Sequence, residues 1–163
     1  HELPTELAGH GVGCGDLNGD GRLDVIGRRG WAEAPAAPDG AWVFHAEFTL
    51  HRDTSVPILV RDVDGDGDAD LVWGRGHGSG LYWLEQQSSA GGRTWTKHII
   101  DTSWSQPHTL MEADLDGDGV TEIITGKRYL AHDGKDAGEW DPLLVAAYRF
   151  LPDSRSWSRQ VLS

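Results

Sequence analysis

Three stretches of the chain set oxygen-bearing side chains at alternate positions around paired glycines. They read Asp16-Leu-Asn18-Gly-Asp20-Gly-Arg22-Leu-Asp24, Asp62-Val-Asp64-Gly-Asp66-Gly-Asp68-Ala-Asp70 and Asp114-Leu-Asp116-Gly-Asp118-Gly-Val120-Thr-Glu122. Side-chain oxygens at the first, third, fifth and ninth positions, with the main-chain carbonyl of the seventh (Arg22, Asp68 or Val120), make an oxygen cage for a hard cation, and Ca²⁺ is the expected ion at all three. The glycine pairs Gly19/Gly21, Gly65/Gly67 and Gly117/Gly119 let the chain wrap tightly around it. An EF-hand is excluded, because the twelfth position holds Gly27, Trp73 or Thr125 instead of a bidentate Glu, and the flanks read as strands. The loops carry twelve acidic side chains, equal to the formal net charge of −12. Packed together without a cation they would repel one another by several kcal/mol.

A second set of groups recurs at fixed offsets from these loops. Five positions beyond each last acid stand Arg29, Arg75 and Lys127; seven beyond stand Trp31, His77 and Tyr129. Six positions before each first aspartate stand His10, Val56 and His108, and Trp104, Arg128 and His132 lie in neighbouring segments. Imidazoles titrate near neutral pH and suit general acid–base work. Guanidinium and ammonium groups suit the hydroxyls and carboxylates of a sugar, and rings suit its apolar faces. For removal of a proton beside a carbonyl, His108 or His10 is the candidate base. Lys127, Arg128 and Arg75 are candidates to hold the enolate oxygen, and His77 or Tyr129 to protonate the leaving hydroxyl. Arg29, Trp31, Arg75, Trp104, Arg128 and His132 are candidate substrate contacts. The same imidazoles offer a second metal position, for Zn²⁺ or Mg²⁺, although no cysteine pattern or ligand spacing argues for zinc.

The elements that must carry these groups follow from the repeat. The first aspartates lie 46 and 52 residues apart, a propeller-blade period. Each loop has a short apolar strand before it (10–15, 56–61, 108–113) and another after it (23–26, 71–73, 123–125). Third strands are expected at 81–85 and 143–150, with a degenerate one after Trp31. A Trp-led strand closes each unit, at Trp42, Trp95 and Trp157; these tryptophans are expected to pack between blades, and His45 and His98 belong to those outer strands. Four antiparallel strands per unit is a blade. The expected fold is therefore all-β: one propeller segment, 1–163, of three blades at about 6–50, 51–100 and 101–163. Because each acidic loop joins the first two strands of a blade, the segments 27–35, 74–80 and 126–141 and the links 51–56 and 101–107 fall on the opposite face. The imidazoles and cations should gather there. Three blades fall short of the usual four to eight, so the disc is expected to be completed by further blades, from the same longer chain or from another copy, and the chain is not expected to persist as a lone monomer.

Composition narrows the class further. There are 22 glycines and 8 tryptophans among 163 residues, as suits short strands and tight turns. No apolar run is long enough to cross a membrane as a helix, and no basic stripe exists for a nucleic acid. Cys14 is the single cysteine and is expected as a small buried side chain. Loops of this kind fill where free Ca²⁺ is millimolar, so an extracellular or periplasmic setting is expected.

The loop recurrence resembles the FG-GAP or VCBS repeat family of β-propellers, in which the ions are structural and tie the first two strands of a blade together. The segments Gly9-His10-Gly11, Gly30-Trp31-Ala-Glu33-Ala-Pro35, Trp73-Gly-Arg75-Gly-His77, Trp104-Ser-Gln-Pro-His108 and Gly126-Lys127-Arg128-Tyr129-Leu-Ala-His132 are similar to the propeller of aldos-2-ulose dehydratase-type proteins. That resemblance implies elimination of water from a keto-sugar such as 1,5-anhydrofructose. Those enzymes carry a seven-bladed propeller and cupin-like domains that this sequence lacks. The alternative expectation is a non-catalytic, lectin-like or adhesion propeller that binds glycan or protein.

Overall fold

In a computed structural model, residues 2–54, 57–130 and 132–163 are described. Their strands form three four-stranded antiparallel sheets, each in chain order. The first contains β1 (Val12–Gly15), β2 (Asp24–Gly27), β3 (Gly30–Glu33) and β4 (Val43–His45). The second contains β5 (Leu59–Arg61), β6 (Asp70–Gly74), β7 (Ser79–Ser89) and β8 (Gly92–Ser105). The third contains β9 (Pro107–Ala113), β10 (Glu122–Lys127), β11 (Val145–Leu151) and β12 (Ser156–Val161). The expected all-β, three-blade architecture is present. No helix among the described residues is long and apolar enough to cross a membrane.

The middle sheet shows why the sequence stacks sheets face to face. β6 is buried along its whole length: Leu71 and Trp73 join Ile26 and Trp31 of the first sheet, with Leu17 from its acidic loop and Phe48 and Leu50 from the segment after β4. Val72 points the other way, into a cluster with Leu110, Ile123 and Tyr148 of the third. In β7, Tyr82 and Leu84 face the first sheet, and Leu81 and Trp83 face the third. Period-two alternation thus feeds two cores at once, and a strand covered on both faces reads as a continuous apolar run. Two of the outer tryptophans reach a neighbouring blade, as expected: Trp95 meets Phe48 edge-on at 5.1 Å, and Trp157 meets Trp83 at 6.5 Å; Trp42 is half-buried just before β4.

Three expectations are corrected. Trp31 does not precede the third strand of its blade but lies inside it, because β2 and β3 are joined by the two-residue turn Arg28–Arg29. The fourth strand of the middle sheet does not stop near His98: β8 runs to Ser105, so most of 101–107 is strand. Only Gln106, at φ 59°, separates it from β9. Cys14 is exposed, because Gly13 and Gly15 take the side of β1 that abuts Ile58 and Val60, and Cys14 points the opposite way. Val56, expected at the start of a strand, lies outside the described residues.

Candidate functional site

The acidic loops join β1 to β2, β5 to β6 and β9 to β10, at one end of the stack. The six loop glycines have φ between 74° and 94°, a region open to glycine without steric cost. The leading aspartate ties each turn together: Asp16 accepts main-chain N–H bonds from Gly19 (2.8 Å), Asp20 (3.0 Å) and Gly21 (2.8 Å). Asp62 and Asp114 accept the matching bonds. Carboxylate oxygens of Asp62, Asp64 and Asp66 lie within 4.8 Å of one another, as do those of Asp114, Asp116 and Asp118. In the first loop the Asn18 amide donates to Asp20 at 2.9 Å. The clustered donors of the second and third loops are all carboxylate oxygens, and they fit a hard cation.

The ninth-position acids are placed differently. Asp24 and Asp70 are fully buried and Glu122 nearly so. Asp24 accepts from the N–H groups of Leu17 (3.0 Å) and Ala34 (2.9 Å), and Asp70 from those of Val63 (3.1 Å) and Gln86 (2.7 Å). Glu122 accepts from Leu115 at 2.9 Å. Burial pushes the Asp70 carboxyl up to about 7 against these bonds, and moves Asp24 in the same direction. Arginines lean onto the loops: Arg155 pairs with Asp64 at 3.0 Å, Arg149 with Asp118, and Arg22 with Asp20. The seventh-position residues Arg22, Asp68 and Val120 lie within the turns, and the N–H of each bonds to the fifth-position carboxylate.

The opposite end of the stack gathers imidazoles. His10 stands just before β1, His77 in the β6–β7 turn and His108 in β9. Their ring centroids are 4.8 Å (His10–His77), 5.6 Å (His10–His108) and 6.1 Å (His77–His108) apart. His132, in the long β10–β11 connection, stacks on His77 at 4.6 Å and 9°. Asp136, from the same connection, accepts from His77 Nδ1 at 2.7 Å and His132 Nδ1 at 3.1 Å, and also pairs with Arg128. Partial burial alone would raise the Asp136 carboxyl, but the bonds from His77, Arg128 and His132 prevail and hold it far below the usual range. The loss of water around His108, reinforced by Arg128 and the neighbouring rings, lowers its basicity. Arg75 donates from Nε to Asp53 at 2.9 Å. A pocket of about 430 Å³ opens here, lined by His10, Arg52, Asp53, Arg75, His77 and Asp136.

Of the residues singled out in the sequence, His10, His77, His108, His132, Arg75 and Arg128 therefore come together. The others do not. Trp31 is buried between the first two sheets, stacked on His45 at 4.3 Å with the Arg93 guanidinium over its ring at 4.7 Å. Trp104 is buried between the second and third sheets and donates from Nε1 to Tyr148 Oη at 2.7 Å. Lys127 is buried and donates from Nζ to the Gly138 carbonyl at 2.8 Å, which pins the β10–β11 connection; burial lowers its basicity. Arg29 is exposed in the β2–β3 turn, and Tyr129 is exposed beside a separate pocket with Trp140 and Leu143. Sequence reasoning missed Asp136, Asp53 and Thr54, which orient the rings and Arg75. The available signal was the lone spacing of Asp136 four residues beyond His132, in a segment already assigned to this face.

Acidic β1–β2-type loops on three stacked four-stranded antiparallel sheets define a propeller-like repeat protein, an incomplete set of blades. Residues 62–125 match the family model of the FG-GAP-like repeat, and the all-β sheets agree with it. Comparisons with curated proteins and with solved structures found no match.

Proposed function

We propose that this is a calcium-stabilised propeller segment whose imidazole-bearing face binds and converts a carbohydrate, by elimination of water from a keto-sugar. The observation that carries the reading is the convergence of His10, His77 and His108 within a few ångströms, flanked by Arg75 and Arg128, at the end of the stack remote from the acidic loops. An imidazole takes the proton beside the carbonyl, a positive group holds the enolate oxygen, and the hydroxyl on the next carbon departs as water once protonated. One C–H and one C–O bond break, a C=C bond forms, and no redox partner is needed. The pocket lining contains no Trp or Tyr, so recognition falls to hydrogen bonds from the charged side chains.

In this reading the three acidic loops each hold a structural Ca²⁺ through their first, third and fifth side chains. The protein then works where free Ca²⁺ is millimolar, outside the cell or in a periplasm. The test uses 1,5-anhydrofructose and follows the conjugated product by its ultraviolet absorbance. Turnover by the parent protein and a loss of about 10²-fold or more in His108→Ala is the expected result. Saturable sugar binding without turnover would replace the lyase with a lectin-like propeller, and unchanged turnover in His108→Ala would remove the imidazole group from the chemistry.

A further inference from the structure

We infer that His10, His77 and His108 form a binding site for one divalent transition-metal ion, separate from the acidic loops. This deepens the carbohydrate reading and rests on it for the role of the ion, though not for its binding. Hydrogen bonds to the outer nitrogens fix the tautomers. His10 Nδ1 lies 3.3 Å from the Thr54 carbonyl oxygen, and His77 Nδ1 lies 2.7 Å from a carboxylate oxygen of Asp136. Both partners only accept, so each Nδ1 carries the hydrogen. In the neutral rings each Nε2 is then a lone pair, and the two Nε2 atoms face each other at 3.3 Å. Two lone pairs at that separation have no hydrogen to share, so a cation belongs beside them.

The separation itself is informative. Two nitrogens about 2.0–2.1 Å from a tetrahedral ion stand about 3.3–3.4 Å apart. One nitrogen from each of His10, His77 and His108 lies within a 4.8 Å span. Three imidazoles leave a fourth position open, and His10 and His77 themselves line the pocket with Arg75 and Asp53. Imidazole donors select Zn²⁺, Co²⁺, Ni²⁺ or Cu²⁺ over Ca²⁺ and Mg²⁺, opposite to the all-oxygen loops. The Asp136–His77 bond supplies the carboxylate that commonly orients a metal-bound histidine. The ion would face the enolate oxygen of the keto-sugar, leaving His132, stacked on His77, as the imidazole outside the trio for proton transfer.

The test titrates Co²⁺ into the full chain in millimolar Ca²⁺, which keeps the acidic loops filled, and follows its visible ligand-field absorption. One equivalent should bind with a tetrahedral spectrum that excess Ca²⁺ leaves unchanged. His77→Gln and His108→Gln should weaken binding by about 100-fold or more, and Asp136→Asn by about 10–100-fold, with circular dichroism confirming that each variant is folded. No Co²⁺ spectrum, displacement by Ca²⁺, or equal binding by folded His77→Gln and His108→Gln would overturn the site, and the facing nitrogens would then share a proton. Co²⁺ binding without keto-sugar conversion would sink the carbohydrate reading alone. Conversion by protein that binds no Co²⁺ would sink the metal alone.

Discussion

Gly13 is the point where β1 comes nearest the next blade. A Cβ there would stand 2.2 Å from the Ile58 carbonyl oxygen, beside the main-chain bond from Ile58 N–H to the Val12 carbonyl (2.9 Å). The nearest obstacle is backbone, so it cannot rotate away. Gly13→Ala should cost about 1–3 kcal/mol in urea denaturation, whereas Gly91→Ala, in an exposed turn with no atom nearer than 3.7 Å, should change stability by less than about 0.5 kcal/mol. Equal effects would show that the blades are not held this closely. At this scale the sequence was only partly legible, and Trp31 and His77 show why. Both stand seven positions beyond their loops' last acids. The turn after β2 is only two residues long, so Trp31 has already entered β3 and its ring goes to the core. The turn after β6 spans Arg75 to Gly78, so His77 stays in it. A fixed offset transfers between repeats only where the turn length does. Trp104 was misassigned for a related cause: β8 continues through it, and its indole N–H finds Tyr148 in the next blade.

The acidic loops are the elements the repeat made most legible, since glycine spacing and strand flanks constrain them locally. What spacing could not show is that the ninth acid is buried, with Asp24 and Asp70 each accepting main-chain N–H bonds from the loop and from a more distant segment and Glu122 from the loop. That arrangement gives a pH dependence with a definite sign. Burial raises the Asp70 carboxyl to about 7 in the metal-free fold, against about 4 in an unfolded chain. Between these values the folded state holds more protons, so the stability of chelator-treated protein should fall as pH rises from about 4 to 7, by at most about 1.4 kcal/mol per pH unit from this group. The Ca²⁺ proposed for the ionised loops should restore what is lost, so a calcium-induced rise in Tm should grow over the same interval. Scanning calorimetry with and without chelator checks this. A calcium increment that is zero at pH 7 would mean that Arg22, Arg149 and Arg155, which lean onto the loops, balance their charge without a metal.

At the scale of the whole molecule, equivalent positions of the repeat meet different fates. Four residues before the first loop aspartate stand Val12, Ile58 and Leu110, exposed to 48%, 2% and 3%. One residue after it stand Leu17, Val63 and Leu115, exposed to 0%, 8% and 48%. Leu17 packs in the cluster with Ile58, and Val63 in the cluster with Leu110. Each junction therefore sets the loop-side hydrophobe of one blade against the inner-strand hydrophobe of the next. The stack ends with one unused copy of each half: Leu115 on the third blade and Val12 on the first. These halves are complementary by the rule that builds the two existing junctions, so the partner we propose for either is another blade of this type, from a longer chain or from a second copy. Propellers close at four to eight blades, and head-to-tail contacts continue until a ring closes. The chain alone should therefore scatter light above its monomer mass, increasingly with concentration. Val12→Lys or Leu115→Glu should return it to monomer mass without lowering its unfolding free energy by more than about 0.5 kcal/mol, since both side chains are half exposed. Ile58→Lys, at the buried equivalent, should unfold it. A monomer at all concentrations, unaffected by Val12→Lys and Leu115→Glu, would show that the two end faces need no further blade.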